Sequence, residues 1–248
     1  MNSSSPAPPR TYFAATGLPT GYTSVAVDVG GVLYYDEPFD IAWIQGTYER
    51  TRRTEPGLTV PSFLEHLKGF YRGEPGTFLS QPPARDSWLD VRQRWTSLVQ
   101  PIPGAADAIQ ALAQHLPVCV VANQPPECHT ALHEMGIAQR VDLVAIDTVV
   151  GLSKPDPKFF RWAFDQLGWT AKDVLVIGDR PDHDAAPAHE LGCQPALIQP
   201  DDCWQGPTDL DPRIEDTYRA IRKDLRTLRS RPAQHASWHL DSLADITP

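Results

Sequence analysis

From residue 118 to residue 198, short apolar β-branched runs take turns with segments of helical period, and few folds accommodate such a pattern. Strands are expected over 118–122, 141–146 and 174–177, with a last short one over 196–198. Helices are expected over 126–135, 157–167 and 184–191, closed by Gly136, Gly168 and Gly192. Apolar strands alternating with helices imply a parallel sheet with helices on both faces. An earlier run, Ser24-Val25-Ala26-Val27, is apolar without alternation and so reads as a strand buried on both faces. It ends in Asp28, and Gly30-Gly31 follow at once, where the backbone can turn sharply and pass close to a ligand. The expected fold class is α/β, a doubly wound, Rossmann-like parallel sheet, which binds ligands at the carboxyl ends of its strands.

One long segment interrupts the alternation. From about residue 39 to 100 apolar side chains recur at helical spacing, with Ile41, Ile44 and Tyr48 first, then Phe63, Leu64, Leu67 and Phe70, then Leu89, Val91, Trp95 and Leu98. No strand pattern breaks it, so 37–100 is expected to form a small all-helical cap inserted after the first strand. Trp43, Tyr71, Phe78 and Trp88 would form its core, a few of them facing a pocket over Asp28. The core domain then comprises 21–36 and 101–248, and 1–20 reads as a polar, proline-rich flexible tail. Residues 200–235 form an extra helical and loop segment, whose Arg219, Arg222, Lys223, Arg226 and Arg229 read as a solvated basic face. The apolar stretch 238–246 is expected to dock on the core.

A chain of 248 residues that is 41% hydrophobic can bury one substantial core. A net charge of −9 argues against a general nucleic-acid or anionic-membrane binder. It leaves a phosphorylated substrate open, because a bound cation can invert the local field. No apolar run reaches membrane-spanning length, and the first residues lack the apolar centre of a signal peptide. The four cysteines show no close pairing pattern, which suits a reducing, cytoplasmic setting. His129 and His133, with Cys128 nearby, read as a solvated helix face rather than a zinc site. Gly30-Gly31 lacks the spacing of a dinucleotide fingerprint. Nothing in the sequence sets an oligomeric state.

Three more stretches fall after strands, on the same side of the sheet as Asp28: Ala122-Asn123 after the second, Ser153-Lys154-Pro155-Asp156-Pro157 after the third, and Gly178-Asp179 through Asp184 after the fourth. They collect carboxylates, one lysine and an amide at one sheet edge. Several acids in one place are costly without a cation, and hard oxygen donors suit Mg²⁺.

In this order the stretches resemble the motifs of the haloacid dehalogenase superfamily of hydrolases, in its form with a helical cap after the first motif. The resemblance covers roughly 22–198. Asp28-Val29-Gly30-Gly31-Val32-Leu33 is similar to the first motif, Ala122-Asn123 stands at the second, Lys154 at the third, and Gly178-Asp179 with Asp184 at the fourth. The resemblance implies a Mg²⁺-dependent phosphatase of a small phosphorylated metabolite. Asp28 would attack phosphorus and form an aspartyl-phosphate, and Lys154 would neutralise charge and hold Asp28. Asp28, the Gly30 carbonyl, Asp179 and Asp184 would hold the metal. Gly31, Ala122, Asn123 and Lys154 would line the phosphate. Two positions depart from the family pattern: Gly30 replaces the Asp that usually protonates the leaving oxygen, and Ala122 replaces a hydroxyl residue. A substitute acid would come from the cap, the substrate or solvent, with Asp36, Glu37 and His183 as candidate side chains, and the Ala122 N–H or the Asn123 amide would replace the hydroxyl. Two other readings are a catalytically impaired binding protein of this fold and a metal-independent dehalogenase-like hydrolase, whose halide leaving group needs no proton.

Overall fold

In the computed structural model, which describes residues 21–199, 203–206, 211–229, 238–240 and 242–246, six strands form one sheet. These are β1 (Ser24–Val27), β2 (Val118–Ala122), β3 (Leu143–Ile146), β4 (Val174–Gly178), β5 (Gln194–Ile198) and β6 (Trp238–Leu240). They lie in the order β3-β2-β1-β4-β5-β6, every pair parallel. The chain therefore winds outward from β1 to β3, returns to place β4 against β1, and winds out the other way. That reversal makes the β1–β4 junction the switch point, where two connections leave in opposite directions and open a crevice.

Every residue of β1, β2 and β4 is buried, as strands covered on both faces must be. Successive side chains feed opposite layers. Val25, Val27, Val118, Val120, Leu175 and Ile177 pack on one face with Ile109 and Leu112 of the helix Ala105–Ala113. Ala26, Cys119, Val121 and Val176 pack on the other with Phe159, Phe160 and Phe164 of the helix Pro157–Leu167. The Pro157–Leu167 helix starts where Asp156 accepts from the Lys158 N–H, with Pro at its first position.

Between β1 and β2 the chain forms α1 (Glu37–Thr54), α2 (Val60–Tyr71), α3 (Pro82–Gln93) and the single turn Trp95–Leu98. Ile41, Ile44, Phe63, Leu67 and Phe78 give this helical insert a core of its own. The same cluster includes Trp204, Ile214 and Tyr218, the latter two from the helix Pro212–Arg229, so the late helix packs on the insert. No helix of the described residues is long and apolar enough to cross a membrane.

Four sequence expectations need correction. The sheet continues past 196–198: β6 adds a sixth strand, in register with β5 from Ala196 to Ile198. Three residues at a sheet edge carry too short a pattern to read as a strand. The third strand begins at Leu143 rather than 141. The helix expected over 184–191 is preceded by a wide turn, Pro181–Ala185, with five-residue hydrogen bonding, and is itself only Ala186–Glu190. The basic face of the late helix is not simply solvated. Arg222 is 14% exposed and pairs with buried Glu37 at 2.8 Å, and Arg219 stacks over Trp204 at 3.6 Å. The tail expected over 1–20 lies outside the described residues, as does part of 200–235.

Candidate active site

β1 and β4 run in register from Ser24 beside Val174 to Val27 beside Ile177, so Asp28 and Asp179 emerge side by side at the switch point. The Asp28 N–H still donates to the Ile177 carbonyl at 2.8 Å. Beyond it the chain folds back tightly: the Val29 carbonyl accepts from the N–H groups of Val32 and Leu33, and the Gly31 N–H donates to Tyr34 O at 2.9 Å. Gly31 sits at φ +70°, a left-handed conformation that costs an L-residue about 1–2 kcal/mol.

Lys154 is the hinge of the site. Its Nζ lies 2.7 Å from Asp28 Oδ1 and 2.7 Å from Asp184 Oδ1, and its side chain is 2% exposed. Asn123 clamps the lysine's backbone from β2: its Nδ2 donates to Lys154 O at 2.7 Å, and its Oδ1 accepts from the Lys154 N–H at 2.9 Å. The Asp184 carboxylate is held twice, since its Oδ2 accepts from the Arg180 N–H at 3.0 Å.

Oxygens of Asp28, Asp179 and Asp184 all lie within 4.8 Å of one another. Among the described residues, Lys154 reaches two of these three carboxylates and no donor reaches that of Asp179. With all three acids ionised, one ammonium would leave an excess of two negative charges. The Asp28 carboxyl is pushed up to about 6, first by withdrawal from water, then by the charge of Asp184, with Lys154 opposing. Asp179 rises well above the usual carboxylate range, again through desolvation first and then through Asp184 and Asp28. Lys154 moves up in spite of its burial, because Asp184 and Asp28 favour its charged form. A divalent cation fits this donor set: the ligands are hard oxygens, and the uncompensated charge matches its own.

Glycines give the carboxylates their room. A Cβ on Gly31 would stand 2.8 Å from Asp179 Oδ2, and one on Gly178 would stand 2.2 Å from Asp184 Cγ. A Cβ on Gly30 would stand 2.2 Å from Oδ2 of Asp36. Ala122 is fully buried at the end of β2 and brings no polar side chain. Thus the structure brings together Asp28, Gly30, Gly31, Asn123, Lys154, Asp179 and Asp184, and the Asn123 carboxamide is engaged by the Lys154 backbone.

Two participants carried no recognised signal. Gln124 joins Tyr34 to Asp36: its Oε1 accepts from the Tyr34 hydroxyl at 3.2 Å, and its Nε2 donates to Asp36 Oδ1 at 3.1 Å. Asp36, Gln124, Trp88, Trp95, Arg180 and Arg222 line a cavity of about 250 Å³ beside the cluster. The Asp36 carboxyl is pushed up to about 7 by desolvation, then by the charges of Asp40 and Glu37. Arg222 is 194 positions from Asp28 in sequence, and only the docking of the late helix on the insert brings it here.

Comparisons with known proteins point one way. The family model for haloacid dehalogenase-like hydrolases matches residues 22–192. The rhythmically expressed gene 2 protein of Drosophila melanogaster is 32% identical over 164 residues, 62% of this chain and 54% of that one. The phosphoserine phosphatase of Thermus thermophilus is 30% identical over 101 residues, 40% of this chain and 41% of that one. The chain thus spans about half the length of the curated relatives it matches. Among solved structures, a HAD phosphatase from Thermococcus onnurineus superposes with a TM-score of 0.65 at 16% identity, over 90% of this chain and 95% of that one, which shows a common fold. With the family model matching 22–192 and the cluster at the β1–β4 junction, the chain belongs to the haloacid dehalogenase-like hydrolases.

Proposed function

We propose that this hydrolase removes phosphate from a small phosphorylated metabolite, with Asp28 as nucleophile and the helical insert, 37–100, as a cap over the reacting centre. The observation that carries this reading is the buried Lys154 shared between Asp28 and Asp184, next to the cation-poor Asp179 carboxylate. Relatives support the substrate class: besides the phosphoserine phosphatase, a glyceraldehyde 3-phosphate phosphatase of Methanocaldococcus jannaschii is 38% identical over 61 residues, 25% of this chain and 27% of that one.

In this reading Lys154 orients Asp28, so that its free oxygen faces phosphorus and its other oxygen stays paired. The carboxylate displaces the leaving oxygen and becomes an aspartyl-phosphate, and water then cleaves that bond at phosphorus. Lys154 faces the charge that develops on the phosphoryl oxygens, in a site where water is scarce. Asp28, the Gly30 carbonyl and Asp179 would hold Mg²⁺, with Asp184 supporting through Lys154 and its own oxygens. When bound, the ion screens the carboxylate from phosphate repulsion and stabilises negative charge on the phosphoryl group. Gly31 and the backbone at Ala122 line the phosphate, and Asn123 serves by fixing the lysine's backbone. Free cysteines, with Cys119, Cys128 and Cys193 buried, support a reducing, cytoplasmic setting.

A dehalogenase reading draws on Gly30, since a halide needs no proton. The acid-rich cluster weighs against it, because Asp179 adds a third carboxylate that a metal-independent reaction does not use. The test is phosphate release from p-nitrophenyl phosphate with Mg²⁺ or with excess chelator. Turnover that requires the metal and vanishes in Asp28→Asn is expected; turnover that survives Asp28→Asn would overturn the assignment.

A further inference from the structure

We propose that Asp36 supplies the acid that position 30 lacks, its carboxyl group reaching from the start of α1 into the space that a side chain on Gly30 would fill. The inference rests on the phosphatase reading and adds the group that protonates the leaving oxygen.

The geometry is that of a side chain delivered from another address. A Cβ built on Gly30 meets Asp36 Oδ2 at 2.2 Å, Oδ1 at 2.5 Å and Cγ at 2.6 Å, so the carboxyl group fills the site of the missing side chain. Gly30 does not have the positive φ of its neighbour Gly31, so its backbone would accept a side chain. What excludes one is Asp36. The tight fold-back over 29–34, with Gly31 N–H on Tyr34 O, brings position 36 back over position 30.

Asp36 also declines the role its place in the chain suggests. It stands at the N-cap of α1, where an Asp ordinarily accepts from a helix N–H, and makes no such bond. Its Oδ1 instead accepts from the Gln124 amide at 3.1 Å, and Gln124 is fixed in turn by the Tyr34 hydroxyl and by Asp147 Oδ1. With Oδ1 serving as acceptor, the carboxyl proton belongs on Oδ2, the oxygen nearest the Gly30 site. The two other acidic or basic candidates are committed elsewhere. Glu37 Oε1 pairs with Arg222 at 2.8 Å, and His183 Nδ1 lies 2.9 Å from Asp182 Oδ2.

The chemistry balances as follows. An Asp28 oxygen bonds to phosphorus as the P–O bond to the leaving group breaks. That electron pair goes to the leaving oxygen, which takes the proton from Asp36 Oδ2 and departs as an alcohol through the adjoining cavity. In the second half a water oxygen bonds to phosphorus, gives its proton to the Asp36 carboxylate, and releases Asp28. Asp36 ends as it began.

The test compares an alkyl ester, glycerol 3-phosphate, with p-nitrophenyl phosphate, whose leaving group needs little protonation. General acid catalysis contributes about 10²–10⁴-fold, so Asp36→Asn should lose about that much kcat/KM on the alkyl ester and less than about tenfold on the aryl ester. The double variant Gly30→Asp/Asp36→Ala clears the space and returns a carboxyl to position 30. It should recover at least tenfold on the alkyl ester relative to Asp36→Ala. Equal losses on both esters, no loss on either, or a wild type that cleaves only the aryl ester would each overturn the role of Asp36. A folded wild type that releases phosphate from neither ester would overturn the phosphatase reading itself.

Discussion

Small residues set how closely the charged ones can approach. Gly178→Ala would place a methyl 2.2 Å from Asp184 Cγ, so the carboxylate must leave Lys154. We expect a loss of about 1–3 kcal/mol by urea unfolding, the usual cost of overpacking, together with reduced phosphatase activity. Lys154→Met removes the shared cation and leaves two carboxylates facing each other, and breaking a buried pair in this way costs about 3–5 kcal/mol. Losing one preorganised group at a developing charge should also lower kcat by about 10²–10³-fold. Asp28, Lys154, Asp179 and Asp184 were legible in the sequence because Asp28 follows β1, Lys154 follows β3 and both Asp179 and Asp184 follow β4, and parallel strands bring their carboxyl ends to one edge. Which of three candidates meets Gly30 was not legible. A glycine records the absence of a side chain and says nothing of what fills the space, and the fold-back that brings Asp36 there depends on backbone bonds over 29–34.

At the scale of elements, the late helix Pro212–Arg229 is tied to α1 through polar groups as well as packing. Tyr218 donates to Asp40 Oδ2 at 2.7 Å, and Arg222 pairs with Glu37. Tyr218→Phe should cost about 0.5–1.5 kcal/mol of stability, one hydrogen bond's worth. Arg222→Met should cost more, because Glu37 is 2% exposed and would lose a charged partner, whereas Arg213→Met at the exposed pair with Asp211 should cost little. Urea unfolding of the three variants gives the ranking directly. The helix itself was legible from its charge pattern, but its docking was not. Amphipathic period marks a buried face without naming what covers it, and the partners, α1 and α2, lie about 150 residues earlier. The sixth strand failed for a simpler reason: Trp238-His239-Leu240 is too short to show a period of two.

For the molecule as a whole, the sheet order places the site. Winding out from β1 in both directions puts the switch point between β1 and β4, and the alternation after residue 101 was enough to expect that class of sheet. The net charge of −9 is compatible with a phosphorylated ligand because a cation at the cluster can invert the local field. A cation that binds the native state alone stabilises it, by about 2.7 kcal/mol at a hundredfold excess over Kd. Mg²⁺ should therefore raise the unfolding temperature of the wild type, while Asp179→Asn should show a much smaller rise; an equal rise in both would remove Asp179 from the metal site. Asp28 as nucleophile is tested by intact mass and peptide mapping of protein quenched in acid during turnover of p-nitrophenyl phosphate with Mg²⁺. One added phosphoryl group is expected on the peptide carrying Asp28, absent in Asp28→Asn. Turnover without any adduct, or an adduct that survives Asp28→Asn, would contradict it.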